Sequence, residues 1–229
     1  MKFNSLLLRS ACLAVIFASP LFLSAEEKTK DAPSSAVAQG DWTPLFNGKD
    51  LTGWKASEKD LPESFSVEDG KLKASGGRSH LFYMGADGKA NFKNFILKAK
   101  VMTKPGSNSG IYFHTEYQDT NWPDKGFECQ VNNSHTDRKR TGGLYDMKDV
   151  MDTAPAKDDV WFDYEITVEG KHVVIKIDGK VTTDWTEEEN AKPPAKHPKR
   201  MIDSGTFAIQ AHDPKSTTYY KDILVKKLP

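Results

Sequence analysis

The fold is decided by residues 164–182, which read YEITVEGKHVVIKIDGKVT. Apolar and polar residues alternate over 164–168, and a second apolar run covers 173–177. The segments 169–171 and 178–179 separate these runs, and a glycine after an acidic residue is typical of tight hairpin turns. Because alternation with a period of two assigns side chains to the two faces of a strand, this stretch predicts three antiparallel strands in a meander.

Short runs of the same kind continue on both sides of this meander. Asp69-Gly70 separates the runs 65–68 and 71–74 and therefore predicts another hairpin. Further strands are predicted over Phe95–Met102, Gly110–Thr115, Phe127–Val131, Phe207–Ala211 and Tyr219–Val225. No window sustains a helical stripe for more than about two turns. The chain is therefore predicted to be all-β, with strands that close as a sandwich or a barrel.

The first 25 residues are typical of a secretory signal peptide, because Lys2 and Arg9 precede the apolar stretch Ala11–Phe22. That stretch is shorter than the roughly 20 residues that span a bilayer, so we expect cleavage rather than a retained anchor. We therefore expect a secreted or periplasmic protein without stable membrane insertion. Residues 26–40 lack core-forming side chains and are interpreted as a flexible tether before one domain over 41–229.

Charge and cysteine content narrow the possible partners. The 229 residues carry 32 Lys and Arg against 32 Asp and Glu, and loss of the first 25 residues leaves 30 against 32. This balance argues against a nucleic-acid binder, which needs a basic surplus. Cys129 becomes the one remaining cysteine and is expected in the core, so the processed chain forms no internal disulfide. The sequence does not indicate an oligomeric state.

The side chains that could carry chemistry are concentrated near the middle of the chain. Glu128 and Gln130 are two residues apart on a predicted strand and so project from one face, as Tyr112 and His114 do on another strand. Trp122 lies in the loop between these strands. Such a mixture suits sugars, because rings stack on their C–H faces while amides and carboxylates bind their hydroxyls. The alternative is that this face is simply solvated.

Several motifs resemble, in the same order, those of the 3-keto-disaccharide hydrolase family. The opening motif is WTPLFNGKDLTGW at 42–54, and the later blocks are 108–113, 126–131, 142–145 and 205–228. The resemblance covers the chain from about residue 41 to its end. It implies a concanavalin-like (jelly-roll) β-sandwich of two antiparallel sheets, with a site on the concave face. It also implies a secreted bacterial enzyme whose partner is a carbohydrate, an oxidised glycoside.

The resemblance implies cleavage of 3-keto-glycosides by a hydrolase or lyase reaction. A ketone at C3 of a sugar acidifies the proton on C2, so a base can form an enolate that expels the glycosidic oxygen from C1, and water can then add back. This route requires a base, an acid for the leaving oxygen and donors for the enolate. Ordinary glycosidases instead place two carboxylates across the anomeric carbon. The alternative function is a noncatalytic carbohydrate-binding module of the same fold.

Four side chains are candidates for catalysis. Glu128 is the first choice for a general base or a substrate-anchoring carboxylate. His135 and His212 could transfer protons, because imidazole titrates near neutral pH, although each could instead be structural. Tyr145 could donate a hydrogen bond to an oxyanion. In the family, a histidine also tends to occur at the strand end where His212 lies.

Substrate binding is predicted for Gln130, His114, Tyr112, Trp54, Trp122 and Gln210. Trp54 could equally belong to the core. Members of the family commonly carry arginine at the position of His114, so this departure bears on substrate identity. Two further histidines, His172 and His197, are interpreted as surface or structural residues.

The segment Glu187–Arg200 is rich in Lys and Pro and is expected to form a long loop. Such a loop either shapes specificity or only connects two strands. We predict no cofactor and no metal, because no spacing of ligand residues argues for one. Three histidines and one carboxylate could in principle converge: His114, Glu128, His135 and His212.

Overall fold

Antiparallel pairing of short strands builds the whole of the described structure. The computed structural model describes residues 42–58 and 63–229, which contain fifteen β-strands in two sheets and no helix. This confirms the predicted all-β sandwich. The predicted signal peptide, 1–25, and the tether, 26–40, lie outside the described residues. No helix in the described part is long and apolar enough to cross a membrane.

The first sheet contains eight strands, and the predicted meander over 164–182 forms one of its edges. Its spatial order is β13 (Lys180–Thr186), β12 (His172–Ile177), β11 (Phe162–Glu169), β6 (Phe95–Thr103), β15 (Thr217–Lys227), β4 (Lys71–Ser75) and β3 (Phe65–Glu68). The short strand β1 (Trp42–Pro44) pairs with one end of β15. The predicted hairpin at Asp69-Gly70 is the β3–β4 turn.

The second sheet contains seven strands and carries the polar residues selected from the sequence. Its spatial order is β10 (Lys148–Met151), β9 (Lys139–Leu144), β8 (Phe127–Asn132), β7 (Asn108–Thr115), β14 (Thr206–Ala211), β5 (Ser79–Tyr83) and β2 (Trp54–Ala56). Consecutive members are adjacent and antiparallel, so residues that are far apart in the chain meet on the central strands β8, β7 and β14.

The core lies between the two sheets, and alternate residues of each strand point into it. Ile111, Cys129 and Ile209 from the second sheet pack there against Ile166 and Ile175 from the first. Cys129 is a free, fully buried thiol, as predicted. Unlike β6 or β11, the strands β7, β8 and β14 are buried along their whole length. The outer face of the second sheet is therefore covered, and its covering segments are the loops around the candidate site.

A β-bulge near the end of β7 breaks the predicted alternation. Ala208 on β14 pairs with Tyr112, whereas Thr206 pairs with Thr115, so β7 contains one extra residue. His114 has a positive φ of 52° at this point. The prediction that Tyr112 and His114 share a face is therefore wrong, because a bulge rotates the side chains that follow it.

Candidate functional site

A pocket of about 260 Å³ opens on the outer face of the second sheet. Its floor comes from β7, β8 and β14, and its walls come from the loops that follow β7, β8, β9, β13 and β14. Seven of the ten predicted site residues line it: Tyr112, Trp122, Glu128, Gln130, Tyr145, Gln210 and His212. The other lining residues are Asn108, Pro123, Asp137, Asp146, His197 and Arg200.

Glu128 forms part of the floor, and two neighbours hold its carboxylate. The hydroxyl of Tyr112 donates to Oε2 at 2.9 Å, and Nε2 of Gln210 donates to Oε1 at 3.0 Å. Burial raises the pKa of Glu128 to about 7, although both hydrogen bonds act in the opposite direction. A carboxyl group with this pKa can accept and release a proton near neutral pH, as a general base must.

Gly110 provides the space that the Glu128 side chain occupies. The antiparallel register places Gly110 opposite Gln130 and Tyr112 opposite Glu128 on the neighbouring strand. A Cβ atom at position 110 would lie 2.4 Å from Oε1 of Glu128. The carboxylate can therefore adopt its position on the floor only because residue 110 has no side chain.

Two glutamines on the floor each leave one amide oxygen available. Nε2 of Gln130 donates to Oδ1 of Asn108 at 2.8 Å, and Nε2 of Gln210 donates to Tyr112 and Glu128. The Oε1 atoms of both glutamines are buried and have no hydrogen-bond partner among the described residues. Buried acceptors of this kind suit the hydroxyl groups of a bound ligand.

His212 lies in the pocket wall and is oriented by the next residue, Asp213. Nδ1 of His212 lies 2.9 Å from Oδ2 of Asp213, which also accepts a hydrogen bond from the Ser216 hydroxyl at 2.7 Å. Burial pushes the pKa of Asp213 upward, but the hydrogen bonds from Ser216 and His212 outweigh it and hold the pKa at about 2. An ionised carboxylate requires a proton on Nδ1, so Nε2 of neutral His212 is a proton acceptor.

His135 lies beside the pocket, with its ring centroid 5.5 Å from that of His212. Its Nδ1 accepts a hydrogen bond from the backbone N–H of Asp137 at 3.1 Å, which places the proton of a neutral ring on Nε2. His135, His212 and Asp213 offer ligand atoms within 4.8 Å of one another and so form a possible metal-binding group. The observed hydrogen bond does not fit a metal at Nε2 of His135, because a ligating nitrogen must be unprotonated.

Tyr145 faces the pocket from the turn after β9. Its backbone N–H donates to the carbonyl of Glu128 at 2.9 Å, and the ammonium group of Lys139 lies 3.8 Å from its ring centroid. Burial raises the pKa of Tyr145, whereas Lys139 lowers it, and the net shift is upward. The hydroxyl therefore stays protonated near neutral pH and can donate a hydrogen bond.

The long segment after β13 contributes two pocket residues that sequence reasoning did not select. Arg200 is 5% exposed, and its Nη1 donates to the backbone carbonyl of Tyr145 at 3.1 Å. His197, interpreted from the sequence as a surface or structural residue, also lines the pocket. The segment folds back because the carboxylate of Glu187 accepts a hydrogen bond from the backbone of Ile202 at 2.9 Å. Nothing in its Lys- and Pro-rich sequence signals this contact.

The structure places two predicted binding residues elsewhere. His114 is fully buried at the bulge, where Nε2 lies 2.8 Å from the carbonyl of Lys93. Trp54 packs on the edge of Tyr83 at 5.1 Å, and its indole N–H donates to the carbonyl of Leu45 at 2.7 Å. His114 therefore makes no contact with a ligand in this pocket, and Trp54 packs against the core. His172 pairs on the surface with Asp184 at 2.8 Å, as expected of a surface residue.

Comparison with known sequences identifies one family. The family model for the 3-keto-alpha-glucoside-1,2-lyase-like domain matches residues 41–226. A curated 3-keto-disaccharide hydrolase from Bacteroides thetaiotaomicron is 34% identical over 74 residues, which are 30% of this chain and 26% of that protein. The matched part therefore spans only about a quarter of the length of this relative.

Comparison with solved structures supports the fold. A protein from Parabacteroides distasonis assigned to the glycosyl hydrolases has a TM-score of 0.69 and 21% identity, over 82% of this chain and 94% of that one. A Bacillus subtilis protein of unknown function with a galectin-like fold has a TM-score of 0.61 and 12% identity, over 81% of this chain and 94% of that one. At these identities the similarity establishes the sandwich architecture alone.

Proposed function

Because the chain belongs to the 3-keto-alpha-glucoside-1,2-lyase-like family, we propose that it cleaves the glycosidic bond of 3-keto-glycosides in the pocket around Glu128. The observation that carries this proposal is the state of Glu128. It is a buried carboxyl group with a pKa of about 7, on a floor that also presents two unpartnered amide oxygens. Those features suit proton abstraction from a sugar that the same floor binds.

The proposed reaction consists of an elimination followed by a hydration. The base takes the proton from C2, and the electron pair of that C–H bond forms the enolate of the C3 ketone. The enolate then re-forms the carbonyl, and its electron pair forms the C1–C2 double bond as the C1–O bond breaks. The alkoxide of the leaving group receives a proton and departs as an alcohol. Water then adds its oxygen to C1 and a proton returns to C2, so the net change is hydrolysis of the glycoside.

The side chains around the pocket can fill the roles that this sequence requires. Glu128 is proposed to remove the C2 proton, because its carboxylate form is accessible at neutral pH. His212 is proposed to act in its protonated form, in which Asp213 accepts from Nδ1–H and the proton on Nε2 passes to the leaving oxygen. The protonated hydroxyl of Tyr145 is proposed to donate to the enolate oxygen. Gln130 and Gln210 are proposed to accept hydrogen bonds from sugar hydroxyls.

We further propose that the protein acts outside the cytoplasm after removal of residues 1–25. The basic and apolar segments of that stretch support export. Determination of the N-terminal sequence of the protein recovered from its native compartment tests this proposal, and an intact Met1 would oppose it.

A panel of 3-keto-glucosides of both anomers, each with its unoxidised parent, tests the proposed activity. Release of the aglycone is expected from at least one keto-glycoside and from none of the parents. Glu128→Gln should lose about 10²-fold or more of the rate while still binding substrate, which is the usual size of a general-base contribution. The exposed Glu169→Gln, at the end of β11, is the matched control and should keep full activity.

A result without turnover would identify the alternative function. Saturable binding of unoxidised glycans, together with no release from any keto-glycoside, would contradict the enzyme and support a noncatalytic carbohydrate-binding module.

A further inference from the structure

His80 extends the polar floor of the pocket by one strand, and sequence reasoning did not select it. It lies on β5 directly opposite Gln210 of β14, and directly opposed residues of an antiparallel pair share a face. Its ring packs on the edge of Tyr112 with a centroid distance of 5.2 Å. His80 therefore belongs to the same surface as Glu128, yet it is fully buried and does not line the pocket.

Both ring nitrogens of His80 are buried and have no hydrogen-bond partner among the described residues. Burial lowers the pKa of His80 to about 3, and the charges of Arg78 and His212 act in the same direction. The ring is therefore neutral at physiological pH and presents one N–H donor and one acceptor. Burying two such groups without partners is unfavourable, which points to a ligand that supplies them.

Trp122 packs against His80 and lines the pocket. The indole lies 5.5 Å from the His80 ring and 5.6 Å from the His212 ring. The guanidinium of Arg78 lies 5.6 Å from the Trp122 ring. Trp122 belongs to the loop between β7 and β8 and is 42% exposed, which leaves it room to turn toward solvent. A turn of the Trp122 side chain toward solvent would uncover the side of the His80 ring that it contacts.

We propose that His80 and Trp122 form a second sugar subsite, which binds a sugar ring on the leaving-group side of the glycosidic bond. This inference rests on the proposed function, because it assigns the leaving group of that reaction. If His212 protonates the leaving oxygen, the leaving group lies next to His212 and therefore next to Trp122. The indole then stacks on the C–H face of the ring, and the imidazole binds its hydroxyls through its donor and its acceptor.

The subsite predicts that His80 matters only for substrates with a second sugar. His80→Phe keeps a ring of similar size and removes both nitrogens. It should raise KM for a 3-keto-disaccharide about tenfold, the usual result of losing one or two hydrogen bonds to a ligand, and leave KM for methyl 3-keto-glucoside unchanged. Trp122→Ala should raise KM for the 3-keto-disaccharide by a larger factor than KM for methyl 3-keto-glucoside, because Trp122 also lines the pocket. His172→Phe, on the exposed face of the other sheet, is the matched control and should change neither value.

A purely structural role for His80 gives a different result. In that case His80→Phe changes KM for both substrates equally or not at all. Either pattern overturns the subsite.

A failure of the proposed function remains distinguishable from a failure of the subsite. If the native protein turns over neither substrate, calorimetry with the unoxidised disaccharide and with methyl glucoside replaces the kinetics. Tighter binding of the disaccharide by the native protein, lost in His80→Phe, supports the subsite without catalysis. Equal affinities in both proteins, or no binding of the disaccharide, overturn it.

Discussion

The carboxyl group of Glu128 sets the pH dependence that the proposed reaction must show. Its pKa of about 7 results from burial, and the hydrogen bond from Tyr112 lowers it. A general base acts as the carboxylate, so kcat/KM should rise with pH through about pH 7 on the acidic side of its profile. Tyr112→Phe removes a donor that stabilises the carboxylate, so the rising limb of the profile should move to higher pH.

Profiles of kcat/KM against pH for the two proteins check this prediction. Tyr117→Phe is the matched control, because the Tyr117 hydroxyl donates to Asp119 at 2.8 Å, within the loop after β7. Its rising limb should coincide with that of the native protein. A limb that stays in place or moves to lower pH in Tyr112→Phe would be inconsistent with Glu128 as the base.

The same raised pKa predicts a cost in stability. The folded protein holds the Glu128 proton more tightly than the unfolded chain, in which the carboxyl group has its ordinary pKa of 4.5. The stability from this proton is complete below pH 4.5 and is lost as the pH rises through about 7. Raising the pH from 5 to 8 should therefore lower the free energy of unfolding of the native protein by about 1 to 3 kcal/mol more than that of Glu128→Gln.

Urea unfolding of both proteins at the two pH values measures this difference. Equal losses in the native protein and in Glu128→Gln would show that the pKa of Glu128 does not differ between the folded and unfolded states.

At the scale of the element, the pairing of β7 with β8 gives a prediction about Gly110. Gly110→Ala places a Cβ 2.4 Å from Oε1 of Glu128, so the carboxylate must move. The obstacle is the far end of a flexible side chain, so we expect the fold to persist while most activity is lost. Activity and melting temperature measured together check this, with Gly179→Ala in the distant β12–β13 turn as the control.

The control, Gly179→Ala, separates the effect of backbone strain from the effect of displacing the Glu128 carboxylate. Gly179 has a positive φ of 76°, so its substitution should lower the melting temperature and leave activity intact. Full activity in Gly110→Ala would mean that the position of the Glu128 carboxylate is not critical.

The strands were predictable from the sequence because alternation and turn residues are local signals. The meander over 164–182 and the hairpin at Asp69-Gly70 occur where the pattern places them. The bulge at His114 was not predictable, since it depends on the pairing of β7 with β14, which is distant in sequence. The contact of Arg200 with Tyr145 depends in the same way on how a long loop folds back.

At the scale of the molecule, sequence motifs indicated the family, and they also contained most of the pocket floor. Glu128 and Gln130 are two residues apart in one motif, and strand geometry places them on one face. His80 carried no such signal, because its role depends on its place beside Gln210 across two paired strands. The fold was therefore predictable from local patterns and from the family resemblance. The extent of the site was not, because it depends on the order of the strands in the sheet.

We propose that this pocket breaks a glycosidic bond by way of the C2 proton. The most direct test is NMR observation of methyl 3-keto-glucoside cleavage in D₂O, together with the cleavage rates of the [2-²H] and unlabelled substrates in H₂O. We predict release of methanol and one solvent deuterium at C2 of the initial product. We also predict that the [2-²H] substrate is cleaved more slowly than the unlabelled one. Release of methanol with the original C2 hydrogen retained and no isotope effect, or no release of methanol at all, would contradict cleavage by way of the C2 proton.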